Sequence, residues 1–200
     1  GMTVEGRAAL GMRRLSIIDL AGGQQPIYNE DDSIFIVFNG EIYNFLEIRA
    51  ELESKGFQFK TQSDTEVLLK SFQLWGVECV HKLNGMFAFA VWDDAEKTLT
   101  IARDRSGIKP LYYARIGNSF VFASEIKAIL ASKLFKPELD HEGLHQFLTF
   151  LWTVHDKTLF QNIFQLPPAH FLIWKDGKIE TKEYWDLDFS NEDFAKTEDY

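Results

Sequence analysis

His141, Glu142 and His145 stand in the order H-E-x-x-H. On a helix that spacing sets two imidazoles on one face, beside a glutamate able to activate a water, as in zinc hydrolases. A third ligand is what the pattern lacks. The longer protease signature continues with a glycine and a further histidine, where this chain has Leu148 and Leu151. Glu180 and Glu183 are distal carboxylates with nothing to tie them to the helix. Gly143 weakens the helix within the motif. The expectation is a surface helix after Asp140, with Leu144, Phe147 and Leu148 turned inward and no metal held. A zinc hydrolase is the remote alternative.

A second candidate is the thiol of Cys79. A reactive cysteine needs a base or a positive environment, and His81, two residues on, would not share its face of a helix. Packing beside Val80 and Leu83 is expected. The third candidate is "ARDRSGIKPLYY", where Arg103, Asp104, Arg105 and Lys109 could bind an anion. Gly107 and Pro110 argue instead for a turn whose charges pair locally. The fourth spans three pieces: Arg14 in "RRLSIIDL", "NGE" at 39–41 and "SDTEV" at 63–67. Each piece alone reads as a turn or a cap. Together they suggest a polar pocket at the ends of a sheet.

The elements that must position these groups are mostly short strands. "RLSIIDL" (14–20) and "IFIVF" (34–38) read as strands, with "AGGQQP" a turn cluster between them. Asn39-Gly40 favours φ > 0 and should end the second strand. A helix should follow, with Ile42, Phe45, Leu46 and Leu52 on one face and Gly56 just past its end. The next helix, from "DTEVLLKSFQLWG", has Thr61 or Ser63 as its cap, acidic residues at its start and Gly76 at its end. "GMFAFAVWD" is a continuous apolar run, expected as a strand buried on both faces. "LTIARD", "PLYYAR" and "SFVFASE" add three strands, and "SEIKAILAS" and "HEGLHQFLTFL" two helices. "AHFLIWKDGKIETKEYW" is a hairpin turning at Asp176-Gly177. Strands, then helices, then strands make an α+β pattern of layered sheets.

Composition excludes some functions. Of 200 residues, 46% are hydrophobic, enough for one large core. The formal charge of −9 argues against nucleic acid, which needs clustered Lys and Arg. No apolar run is long enough for a membrane span. The single cysteine allows no internal disulfide and suits a reducing, cytoplasmic setting.

In unbroken order, "LGMRRLSIIDLAGGQQPI", "FNGEIYNF", "SDTEVLL", "LNGMFAFAVWD", "ARDRSGIKPLYY" and "FASEIKAIL" resemble the class II glutamine amidotransferase domain of asparagine synthetase B-type enzymes. The resemblance implies an N-terminal nucleophile hydrolase fold, a four-layer αββα sandwich, here expected to be incomplete at its N-terminus. It implies a domain over 1–185 and a linker over 186–200 toward an ATP-dependent synthetase domain. The implied activity is hydrolysis of glutamine to glutamate and ammonia by an N-terminal cysteine.

Residue by residue, the resemblance gives Arg14 the α-carboxylate of glutamine and Asp64 its α-ammonium. Leu15, Ile17 and Ile18 would line the pocket, and Glu41 would fix the amino-acid end. Asn39 and Gly40 would donate to the oxyanion. The family's cysteine does not precede Arg14 here, so the 200 residues are expected to be inactive alone. The implied partners are L-glutamine and a synthetase domain, and an exposed strand edge also invites a homodimer. No cofactor is expected in this chain, ATP and magnesium belonging to the synthetase domain. The alternative is a non-catalytic glutamine-binding or docking module.

Overall fold

The computed structural model describes residues 1–13, 18–19, 22–134 and 136–189. The chain opens with β1 (Met2–Glu5) and β2 (Ala8–Gly11), paired antiparallel. Then come β3 (Ile27–Tyr28), β4 (Ile34–Ile42), α1 (Phe45–Ser54) and α2 (Asp64–Trp75), which runs into a 3₁₀ turn at Gly76–His81. β5 (Gly85–Asp93), β6 (Thr98–Arg103), β7 (Tyr112–Ile116) and β8 (Ser119–Ala123) follow. After α3 (Ile126–Ala131) and α4 (His141–Phe150), β9 (Phe164–Gln165), β10 (His170–Lys175) and β11 (Lys178–Glu183) complete the described elements.

Six strands form an antiparallel sheet in the order β11-β10-β6-β5-β4-β3, and a smaller sheet has the order β8-β7-β9. Strand alternation sorts the side chains to two faces. Ile36, Phe38, Phe87, Phe89 and Val91 meet Ile48 and Leu52 of α1 and Val67, Leu68 and Leu69 of α2. The opposite set, Phe35, Val37, Ala90, Trp92 and Ile101, meets Leu10 of β2, Leu111, and Tyr113, Phe120 and Phe122 of the small sheet. On the far side of that sheet, Ala114 packs on Ile129 of α3. Helices, large sheet, small sheet and helix are the four layers the family resemblance implies. β5 is central and buried on both faces, which is why its sequence is an apolar run rather than an alternation.

Several boundaries differ from the sequence reading. β4 does not end at Asn39-Gly40; it stays paired with β5 through Ile42, opposite Gly85. Gly40 has φ +153, and a Cβ there would lie 2.1 Å from the carbonyl oxygen of Met86. The glycine serves a close approach of two backbones, not a turn. α1 accordingly starts only at Phe45, and it buries Ile48 and Leu52 while Leu46 stays exposed. In α2 the cap is Ser63, whose hydroxyl accepts from the Thr65 N–H, and Gly76 ends the helix at φ +59. At the β10–β11 turn Asp176 and Gly177 both have positive φ, as a tight hairpin requires. Of the strand expected over 14–20, residues 14–17 and 20 lie outside the described residues, and Ile18 and Asp19 are in no strand.

Candidate functional site

β4 outruns its short neighbour β3, which pairs only with Phe35 and Ile36. Beyond that point the main chain of β4 must find other partners on its outer edge. Gln25 takes the first position: its side-chain amide accepts from the Phe38 N–H at 2.7 Å and donates to the Phe38 carbonyl at 3.0 Å. The same amide nitrogen donates to the Thr65 hydroxyl at 3.2 Å, tying the edge to the start of α2. Two residues on comes Gly40, and two further on, the Ile42 N–H donates to the Asp64 carboxylate at 3.2 Å.

Gly40 faces Phe87 across the pair. Phe87 turns its own groups the other way, its N–H donating to Asp104 and its carbonyl accepting from Asp104 N–H. That makes Gly40–Phe87 a pair without mutual hydrogen bonds, so the Gly40 N–H points to the outer edge, between the Gln25 and Asp64 positions. No partner meets it there among the described residues. Next to Gly40, Asn39 Nδ2 donates to Ser124 Oγ at 3.4 Å, just past β8. Asn39 and Ser124 also line a cleft of about 1280 Å³ between the two sheets. Glu41 is half-buried, and its carboxylate makes no hydrogen bond or ion pair among the described residues.

The loop before β3 closes on the same corner. Asp19, next to Ile18, accepts from Gln62 N–H at 2.8 Å and from Gly22 N–H at 2.8 Å. Asp64 is the first residue of α2, buried to 4% exposure, where the positive end of the helix favours a carboxylate. Glu66 accepts from Lys60 N–H, Thr61 N–H and Thr61 Oγ1, which fixes the entry loop. The structure thus gathers Asn39, Gly40, Glu41 and Asp64 around the end of β4, with Asp19, the neighbour of Ile18, bonded to the loop that leads into α2. Arg14, Leu15 and Ile17 fall outside the described residues.

The other candidates are placed elsewhere. Arg103 donates to the carbonyls of Lys109, Leu166 and Gly107, and burial pulls the pKa of its guanidinium down. Asp104 accepts from Phe87, Ser106, Ile108 and Lys109 N–H groups. Both therefore belong to the turn. Arg105 gives one nitrogen to His81 carbonyl while its buried Nε has no partner. Cys79 lies fully buried in the 3₁₀ turn, packed with Val80 and Leu83, and burial pushes its thiol up to about 12. At pH 7 it is protonated and shielded. Glu142 of the H-E-x-x-H pattern pairs with Lys157 at 2.8 Å, and no group of three metal-ligating side chains occurs among the described residues.

Sequence reasoning missed Gln25 as the clamp on Phe38, since one glutamine inside a turn cluster carries no signal. Ser124 was within "FASEIKAIL", but only the fold shows it against Asn39.

The layering is shared with solved glutamine amidotransferase structures. The Bacillus subtilis glutamine phosphoribosylpyrophosphate amidotransferase superposes with TM-score 0.55 at 22% identity, over 80% of this chain and 31% of that one. A glutamine aminotransferase class-II domain protein from Silicibacter pomeroyi gives TM-score 0.51 at 16% identity, over 84% and 74%. These define the fold. The chain belongs to the glutamine amidotransferase domain family, whose model matches residues 1–185. Among curated proteins it is 44% identical to asparagine synthetase [glutamine-hydrolyzing] 1 of Bacillus subtilis, over 90% of this chain and 28% of that protein. It is 39% identical to amidase chyE of Penicillium rubens, over 90% and 26%. The chain thus spans less than a third of these relatives. No helix among the described residues is long and apolar enough to cross a membrane.

Proposed function

We propose that the end of β4 and the start of α2 hold L-glutamine, and that the domain serves to release ammonia from it for an attached synthetase domain. The observation that carries this reading is the Gly40 N–H, open on a strand edge between the Gln25 clamp and the Asp64 carboxylate. In amide hydrolysis the carbonyl oxygen gains negative charge, and donors already in place stabilise it without reorganising. Gly40 N–H and the Asn39 amide, held by Ser124, are those donors. Asp64 and Glu41 take the α-ammonium end. Arg14, with Leu15, Ile17 and Ile18 beside it, takes the α-carboxylate through its planar fork. Glutamine is also the substrate named for the asparagine synthetase relative.

The hydrolysis itself needs a thiolate at the amide carbonyl. Cys79, the single cysteine of the 200 residues, is sealed in the core and protonated. The family resemblance assigns that role to an N-terminal cysteine, and on this reading the 200 residues bind glutamine without turning it over. ATP and magnesium belong to the synthetase part.

Calorimetric titration with L-glutamine should show weak binding that falls about tenfold or more in Arg14→Ala and in Asp64→Asn, and is unchanged in Arg105→Ala. Binding indifferent to Arg14→Ala overturns the assignment. Glutamate release by the 200 residues should match a blank, with or without Cys79→Ala. With a processed cysteine supplied ahead of residue 1, activity should appear, and Asn39→Ala should lower kcat roughly 10²- to 10³-fold.

A further inference from the structure

The outer edge of β4 is covered by two different means. Main-chain pairing with β3 ends at Ile27, opposite Ile36. Continued, that register would set Pro26 against Val37, Gln25 against Phe38 and Gly23 against Gly40. Pro26 has no N–H to give a ladder. At the next position Gln25 bonds through its side chain instead. Its amide oxygen accepts from the Phe38 N–H at 2.7 Å, and its amide nitrogen donates to the Phe38 carbonyl at 3.0 Å. One carboxamide does there what the main chain of a partner strand does in a sheet. A main-chain partner would go on to cover Gly40, because a paired strand bonds every second residue. A side chain covers one residue and stops.

The same amide reaches across to α2. Its nitrogen also donates to Thr65 Oγ1 at 3.2 Å, which brings both of its N–H groups into use. Gln25 and Thr65 are both buried, so water does not compete for these bonds. Phe38, Gly40 and Ile42 present their N–H groups on one edge, about 7 Å apart along the strand. The first is held by Gln25, and the last donates to Asp64 at 3.2 Å. Contacts therefore run in a closed loop: β4 to Gln25, Gln25 to Thr65, Asp64 beside it, and back to β4. With both ties in place the Gly40 N–H keeps a fixed distance from the Asp64 carboxylate. With one tie, the strand edge pivots on Ile42.

We propose that Gln25 is a positioning residue of the glutamine site. It fixes the edge of β4 on the side of Gly40 away from Asp64, and it leaves the Gly40 N–H uncovered, as a longer β3 would not. In this role it touches no substrate atom. It acts through Gly40 and Asp64, which take the amide and the α-ammonium ends, so the inference rests on the glutamine reading given above. Its geometry rests on the pairing register alone. Methionine at position 25 keeps the length of the side chain and supplies neither the acceptor nor the donors.

The test uses the 200-residue chain and two ligands, L-glutamine and L-norvaline, which carries a methyl group where glutamine carries its amide. Calorimetry on Gln25→Met should show glutamine affinity lowered about tenfold or more, with norvaline affinity unchanged, because the oxyanion donor is misplaced while the α-amino acid end is not. Thr65→Val should lower glutamine affinity in the same direction, and Thr65→Ser, which keeps the hydroxyl, should not. A merely structural role does not discriminate between the ligands, so equal losses for both, or no loss, overturn the proposal. A measurement without ligand separates it from the glutamine reading. Amide hydrogen exchange at Ile42 should quicken at least about fivefold in Gln25→Met, while exchange at Val91 in the central strand stays as in the parent. Unchanged exchange at Ile42 overturns the proposal even where the parent binds glutamine. A parent chain that binds no glutamine overturns the glutamine reading, and with it the role assigned to Gln25.

Discussion

Two polar segments flank the central strand β5, one where β6 ends and one in the last residues of β4, and the fold treats them in opposite ways. At 103–109 the side chains of Arg103 and Asp104 are saturated by main-chain groups of their own turn and its neighbours. At 39–42 the Gly40 N–H and the Glu41 carboxylate have no partner among the described residues. Buried polar groups are nearly always partnered. A saturated cluster therefore holds the chain, and an unsaturated one at a strand edge beside a helix start is fit to hold something else. In sequence the two look alike, and the first carries more charge.

The largest effect expected from breaking this contrast is at Asp104, which is 1% exposed. Asp104→Ala strands the N–H groups of Phe87, Ser106, Ile108 and Lys109. Urea unfolding should show a loss of about 3 to 5 kcal/mol. Arg103→Lys should cost about 2 kcal/mol, because one ammonium cannot span three carbonyls set around a planar fork. If either variant were neutral, the turn would not be the anchor described.

The same saturated region should make stability fall at high pH. Tyr184 donates to the Arg103 carbonyl, and burial, together with Asp104, raises its pKa. Burial also raises Cys79 from an ordinary 9.0 to about 12. Above pH 9 the unfolded chain releases protons that the folded chain keeps, so unfolding is increasingly favoured. Each group adds a slope near 1.4 kcal/mol per pH unit within its window. Urea midpoints should drop between pH 9 and 11, less steeply in Cys79→Ala. A flat profile would show that neither group is sealed. The smallest effect on folding belongs to the other segment. Glu41→Gln should shift stability by under about 0.5 kcal/mol, yet weaken glutamine binding about tenfold.

Much of the fold was legible because local signals and layers agreed. The apolar run of β5, the Ser63 cap and the Asp176-Gly177 turn each have one physical meaning. The β1–β2 hairpin was not, since Met2 and Val4 are exposed and leave no clear alternation. Asn39-Gly40 misled because the dipeptide serves turns and close backbone contacts alike, and only the Met86 carbonyl 2.1 Å from a would-be Cβ tells them apart. α4 departs from its expectation for a related reason: Gly143, which periodicity does not count as apolar, is its buried residue, while of the three side chains expected to turn inward Leu144 is half-buried and Phe147 and Leu148 are exposed. As to the candidate site, residue types pointed to Asp64, Glu41, the Asn-Gly pair and Arg14, the last of which lies outside the described residues. Roles came from the family resemblance, and the open Gly40 N–H came only from the pairing register.

The most direct test follows backbone amides during an L-glutamine titration by ¹⁵N–¹H correlation spectroscopy. The Gly40 resonance should move and saturate together with those of Ile42 and Asp64, while Ser106, Ile108 and Lys109 stay still. A silent Gly40, or saturable shifts confined to 103–109, would contradict the account.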